Sequence, residues 1–394
     1  MKKILALILA VLMLFSLVAC GNGGEKEDDM KVGFIFLHDE NSTYDKNFID
    51  AAVEACKNMG VTMVQKTQIP ESNACYDAAV ELIEVEECDI IFADSFGHES
   101  FLMKAAQEYP DVEFCHATGT QAHTAGLKNF HNAFAHIYEG RYLAGVVAGM
   151  KLKEMMAADS KIVPKMGYVG AFTFAEVISG YTSFYLGAKS IVPEVTMDVK
   201  FTGSWYDETK EKQAAQALID GGCVLISQHA DSMGAPTACE AAKVPNVSYN
   251  GSTVAACPNT FLISSRINWV PYFEYMITQV KNGEAIDTDW AGTIENGSVA
   301  LTDLGTAVAE GTAAKLEEVK AGLKNKTINV FDTANFTVKG EKLTSYKADV
   351  DTDANYEKDT EVIENGVFYE SKHRSGPYFD LEIDGITLLD RNYG

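Results

Sequence analysis

From Lys31 onward the chain alternates short β-rich runs with amphipathic helical ones, a rhythm that few folds tolerate. KVGFIFL (31–37) reads as a buried strand, and NFIDAAVEACKNMG as a helix closed by Gly60. TMVQKTQ, CYDAAVELIEVE, DIIFADS, ESFLMKAAQEYP and EFCHATG continue as strand, helix, strand, helix and strand. Strands separated by single helices need crossover connections, which makes the sheet parallel and covers both of its faces with helices. The pattern then restarts. IYEGRYLAGVVAGMKLKEM predicts a long helix, KMGYVGA a strand, AEVISGYTSFYLGAKSI a helix, TMDVKFTG a strand, KEKQAAQALIDGG a helix and CVLISQHA a strand. After PNVSYNGS, the segment FLISSRINWVPYFEYMITQVKNGE predicts a strand followed by a helix. The remainder is more polar, with β-type runs at TINVF and LEIDGITLLD, and residues 332–377 predict an irregular extension of low apolar content.

Two α/β lobes in succession also suit the length, because the roughly 370 residues after Cys20 exceed what one core usually serves. The first twenty residues, MKKILALILAVLMLFSLVAC, carry two lysines, an apolar run and a small-residue approach to Cys20. That is the layout of a secretory signal, too short before Cys20 for an ordinary spanning helix. Leu17-Val18-Ala19-Cys20 resembles a bacterial lipobox, which implies lipidation of Cys20. Residues 21–30 are polar and glycine-rich and read as a flexible tether. The expected location is extracytoplasmic, on the membrane through the lipid.

Basic side chains number 32 against 56 acidic ones, a net charge of −24. Nucleic-acid surfaces draw on clustered Lys and Arg, so no nucleic-acid partner is expected. Beyond Cys20 the chain has Cys56, Cys75, Cys88, Cys115, Cys223, Cys239 and Cys257, an odd number without the close pairing of a disulfide scaffold. Mainly free thiols are expected, with one or two disulfides left open.

In open α/β sheets ligands settle outside the carboxyl ends of the strands. Those ends carry HDENSTYD (38–45), ADSFGHE (93–99), HATGTQAH (116–123), GAFTFAE (170–176), TGSWYDE (202–208), SQHADS (227–232) and NGS (250–252). Aromatics beside a few donors and acceptors suit a flat heterocycle, with Tyr44, Phe96 and Trp205 as stacking candidates. The same rings could equally be packing residues. His229, Asp231, Ser232 and Asn250 are the polar candidates, although Asp231 or Ser232 could serve only to cap the next helix. No G-x-S-x-G elbow, H-E-x-x-H or C-x-x-C pattern, or glycine-rich phosphate loop occurs, so no catalytic residue, metal or cofactor is expected.

The leader, HDENSTYDKNFIDAA, YEGRYLAGVVAG, GYVGAF, TGSWYDETKEKQAAQALIDGG and QHADS together resemble the basic membrane protein family of purine nucleoside receptors, from about residue 1 to 320. The resemblance implies a type I periplasmic-binding-protein fold: two doubly wound parallel-sheet lobes, joined by a multi-stranded hinge, that close on a ligand and present it to an ABC permease. The expected division is 31–135 plus 265–300 for the first lobe and 136–264 plus 301–331 for the second, with 332–394 an extension packed on the lobes. It further implies a stacking role for Tyr44, a neighbouring contact at Asp45, and a ligand contact at Asn268 beside Trp269, where the family commonly has an acidic residue. GSWYD and SQHADS are similar to the branch associated with adenine or related nucleobases, so a purine base is expected, with nucleosides close behind. Other readings stay open: a surface lipoprotein contacting host or matrix macromolecules, a receptor for another heterocycle or a sugar, and a nucleoside-processing enzyme.

Overall fold

A computed structural model describes residues 30–351 and 357–391. The expected leader, the expected lipidation site at Cys20 and nearly all of the expected tether lie outside the described residues. Among those described, no helix is long and apolar enough to cross a membrane.

The first sheet is wholly parallel. Its spatial order is β11 (Asp289–Gly292), β5 (Phe130–Ala135), β4 (Glu113–Ala117), β3 (Ile90–Ala93), β1 (Lys31–Ile35) and β2 (Thr62–Lys66). The second runs β12 (Val299–Leu301), β10 (Phe261–Ile267), β9 (Asn246–Tyr249), β8 (Leu225–Gln228), β6 (Lys165–Gly170), β7 (Thr196–Phe201) and β17 (Ile386–Leu388). Only the β10–β12 pairing is antiparallel in this second sheet. The chain passes between the sheets after β5, after β10 and again between β11 and β12.

Local chemistry places the helices. Ser42 caps α1 (Thr43–Met59) by accepting from the Asp45 amide, and Gly60 closes it at φ 63°, a left-handed backbone that costs glycine nothing. α9 (Val270–Asn282) follows β10 but packs on α1 of the other lobe, with Trp269 stacked on Phe48 at 4.5 Å and Lys281 Nζ donating to the Met59 carbonyl at 2.7 Å. In YEGRYLAGVVAG the glycines let helices touch. α5 (Ile137–Ala158) crosses α6 (Ala175–Lys189) so closely that a Cβ at Gly145 would lie 2.0 Å from the Phe184 carbonyl oxygen, and one at Gly187 2.1 Å from that of Tyr142.

Three sequence expectations change. β5 joins the first sheet between β4 and β11 although the alternation does not single it out, because its FHNAFA is buried on both faces. TINVF forms no strand: Val330 and Phe331 are buried instead, with Phe331 stacked on Phe379 at 4.2 Å. LEIDGITLLD pairs only over Ile386–Leu388. The extension is irregular, with two-residue strand pairs at Lys347–Ala348 with Thr360–Glu361 and at Ile363–Glu364 with Val367–Phe368. It nonetheless buries Phe336, Phe368, Tyr378, Phe379, Leu381 and Ile383, so packing by widely spaced aromatics replaces periodicity as its organising force. All seven cysteines beyond Cys20 are buried and unpaired.

Candidate ligand-binding cleft

The carboxyl ends of both sheets face each other across a cavity of about 210 Å³. The lobes touch around it. The Thr43 amide and hydroxyl both donate to the Asp231 carbonyl, at 3.0 and 3.1 Å, and Phe96 lies 5.2 Å from Phe174 between ring centroids.

On the first-lobe wall Tyr44 stands in the first turn of α1 and turns its hydroxyl onto the Asp94 carbonyl at 2.6 Å, leaving its ring as lining. Phe96, in the short turn after β3, is 39% exposed and sits at the mouth. Thr118, after β4, has φ 65°, rare for a β-branched residue and the kind of strain that clusters at binding sites.

The second-lobe wall is richer in polar groups. Phe174 and Glu176 enter at the start of α6, Trp205 from the loop after β7, His229 and Asp231 beyond β8, and Tyr249 at the end of β9. Phe172, Phe174 and Trp205 pack ring against ring at 4.9–6.1 Å. Behind them runs a directed chain of hydrogen bonds. Arg141, fully buried in α5, donates to the Tyr168 hydroxyl and lies 4.3 Å from the Tyr249 ring. The Tyr168 hydroxyl in turn meets His229 Nδ1 at 3.3 Å, and His229 Nε2 meets Glu176 Oε2 at 2.9 Å. A neutral His229 that donates from Nε2 to Glu176 leaves its Nδ1 to accept from the Tyr168 hydroxyl, which itself accepts from Arg141. Glu176 is thereby held at the cavity wall as an oriented acceptor.

Asp231 is the opposite kind of group. Burial first, then the charges of Glu211, Asp45 and Glu176, push its carboxyl well above the usual range. Glu211, accepting from the Ser232 amide at 3.1 Å, is raised by burial to about 7.

The structure thus brings Tyr44, Phe96, Trp205, His229 and Asp231 onto one cavity. It does not bring the other candidates there. Asp45 is buried in the first turn of α1, bonded to the His38 imidazole at 3.2 Å, the Ser42 hydroxyl at 2.6 Å and the His38 amide at 2.6 Å; burial raises its carboxyl, but these partners outweigh it and hold it below the ordinary value. Trp269 is 1% exposed inside the aromatic core. Asn268 ties down the start of α9, its Oδ1 accepting from Val270 N at 3.3 Å and its Nδ2 donating to Gly297 O. Ser232 Oγ accepts from Gly234 N at the start of α8 (Gly234–Ala242). Asn250 lines a separate open groove of about 600 Å³ and reaches Asp231 Oδ1 at 3.4 Å. Phe174, Glu176 and Thr118 belong to strand-end segments that the sequence marks, but nothing singles them out as residues. Tyr249 lies just before one, while Arg374 and Pro377 come from the extension, where no sequence signal points.

The chain matches the family model of PnrA-like ABC transporter substrate-binding proteins over residues 35–334. It is 31% identical over 317 residues to a purine-binding protein of Brucella abortus, covering 79% of this chain and 85% of that protein. A putative ABC transporter glucose-binding protein of Haloferax volcanii is 30% identical over 251 residues, 64% of this chain and 61% of that one. An ABC transporter nucleoside-binding protein of Lactococcus lactis is 26% identical over 243 residues, 59% and 64% of the two chains. Among solved structures, a solute-binding protein of Aeropyrum pernix superposes with a TM-score of 0.65 at 16% identity, covering 83% of this chain and 95% of that one. One from Conexibacter woesei gives 0.63 at 19% identity, covering 76% and 98%. At that identity the likeness speaks for the fold alone, which is the two-lobed type I periplasmic-binding-protein fold.

Proposed function

This chain belongs to the PnrA-like family of ABC transporter substrate-binding proteins, and from that premise we propose that its interlobe cleft holds a purine, as a nucleobase or as a nucleoside. The family is one of binding proteins, not enzymes. The observation that carries the reading is the cavity itself: aromatic rings from both lobes line it, Tyr44 and Phe96 from the first and Phe174, Trp205 and Tyr249 from the second, beside the carboxyl groups of Glu176 and Asp231 and the hydroxyls of Ser95 and Thr118. A fused heterocycle needs faces for its rings and both kinds of polar group for its edges. The relatives from Brucella and Lactococcus, a purine-binding and a nucleoside-binding protein, support the same class.

In this reading the protein works outside the cytoplasm, held to the membrane by a lipid on Cys20, and hands its ligand to an ABC permease. The contacts between Thr43 and Asp231 belong to the closed state, which a ligand touching both walls favours by its differential affinity.

The test is a thermal-shift screen of refolded, ligand-free protein against adenine, guanine, hypoxanthine, their nucleosides and a set of sugars. At a hundredfold its dissociation constant the right ligand stabilises by about 2.7 kcal/mol. A shift with purines supports the proposal. A shift with sugars alone overturns it and favours the class named for the Haloferax relative.

A further inference from the structure

We propose that Arg374, from the C-terminal extension, reads an exocyclic ring oxygen of the ligand and so makes the cleft prefer 6-oxopurines to adenine; this rests on the purine reading above. The residues matched by the family model stop at 334, so this group belongs to a segment outside the match.

Arg374 is 7% exposed and lines the cavity together with Pro377. Its guanidinium is fixed from behind: Nε donates to the Gly376 carbonyl at 3.1 Å and Nη2 to that of Pro377 at 3.3 Å. Nη1 is buried without a hydrogen-bond partner among the described residues. No carboxylate is bonded to the guanidinium among those residues, although its neighbour Ser375 is tied to Asp289 Oδ1 through both amide and hydroxyl, at 2.9 and 2.8 Å. Gly376 lies on the loop that carries Thr118 and Thr120, so close that a Cβ there would be 2.7 Å from the Gly119 carbonyl oxygen. The extension is therefore seated against the first lobe at this point, while its last strand, β17, is paired into the sheet of the second.

An unpartnered donor on a buried guanidinium is costly unless something in the cavity accepts from it. Arginine suits the O6 and N7 acceptors of an oxopurine, whereas adenine offers an amino donor at the equivalent position, so donor would face donor. Glu176 supplies the complementary acceptor for ring N–H groups.

The experiment is calorimetric titration of hypoxanthine and adenine into the full chain and into Arg374→Met and Arg374→Lys. The wild type should bind hypoxanthine roughly tenfold to a hundredfold more tightly than adenine. Arg374→Met should lose most of that preference by weakening hypoxanthine while leaving adenine within about threefold, and Arg374→Lys, which keeps the charge, should retain part of it. Equal losses for both bases, a preference that Arg374→Met keeps, or a wild type that favours adenine each overturn the role of Arg374 and leave the purine site standing. Should Arg374→Met fail to fold, the wild-type preference and the Lys variant still decide. If the wild type binds no purine at all, the purine reading itself falls, and this role with it.

Discussion

The two walls of the cleft are built from the same unit, a strand leading through a loop into the first turns of a helix, yet they hold their carboxyl groups in opposite states. Behind the first wall Asp45 is buried but surrounded by partners, the His38 imidazole, the Ser42 hydroxyl and the His38 amide, and its carboxyl is held below the ordinary range. On the second wall Asp231 is buried near the charges of Glu211, Asp45 and Glu176, and behind it Glu211 is buried against the Ser232 and Asp207 amides; burial dominates at both, and both carboxyls are raised. The difference teaches how one architecture yields a rigid face and a polar one. The first wall keeps its buried carboxylate in internal hydrogen bonds and offers the rings of Tyr44 and Phe96; the second offers both rings, Phe174, Trp205 and Tyr249, and polar groups, Glu176, His229 and Asp231.

The largest expected effect separates the walls by pH. Glu211 has a folded value of about 7 against an ordinary 4.5. Between those values the folded state retains a proton that the unfolded chain releases, so stability falls as pH rises, by roughly 3 kcal/mol in all. Glu211→Gln should flatten that slope when urea unfolding is compared at pH 5 and pH 8; an unchanged slope would remove the buried carboxyl from the account. Asp45 carries the opposite sign, because its folded value is depressed. Its stabilisation is present above the unfolded value and is lost as pH falls through the folded one, so Asp45→Asn should cost about 2 kcal/mol at pH 7 and little in strong acid.

Ligand affinity gives the next contrast. Trp205→Ala should weaken purine binding by about 1–3 kcal/mol, the worth of one stacked face, and Phe96→Ala by less because that ring is partly in solvent. Equal losses at the two positions would mean that the mouth stacks as strongly as the interior. The smallest effect belongs to Tyr44→Phe: the lost bond to the Asp94 carbonyl should cost about 1 kcal/mol of stability, with affinity within roughly twofold because the ring remains. A large loss of affinity there would show the hydroxyl turning from Asp94 to the ligand.

Particular residues show where reading the chain succeeds and where it stops. TGSWYDE and SQHADS are legible because they follow strong strand patterns, and the open end of a parallel sheet is where loops converge. Trp269 sits in an equally plausible polar setting, after FLISSRIN, yet it packs on Phe48 across a chain reversal that no local pattern encodes. Asp45 has the residue type of a ligand contact, but whether its oxygens face the cavity or the Ser42 cap depends on the helix register. Arg374 lies in a segment with neither helical nor strand periodicity, and periodicity is what carries position into sequence reading.

By itself the sequence determined the alternation of strands and helices, and with it the parallel sheets and the side on which their loops gather, because crossover connections and handedness leave few alternatives. The tertiary structure alone decided which side chains meet. It sent Asn268 and Trp269 into a helix start and the core, brought Phe174, Glu176 and Tyr249 to the cavity, and carried Arg374 back to a cleft formed hundreds of residues earlier in the chain. The physical reason is that periodicity records burial along one element, whereas a binding site is assembled from the ends of many elements, whose approach is set by packing between them.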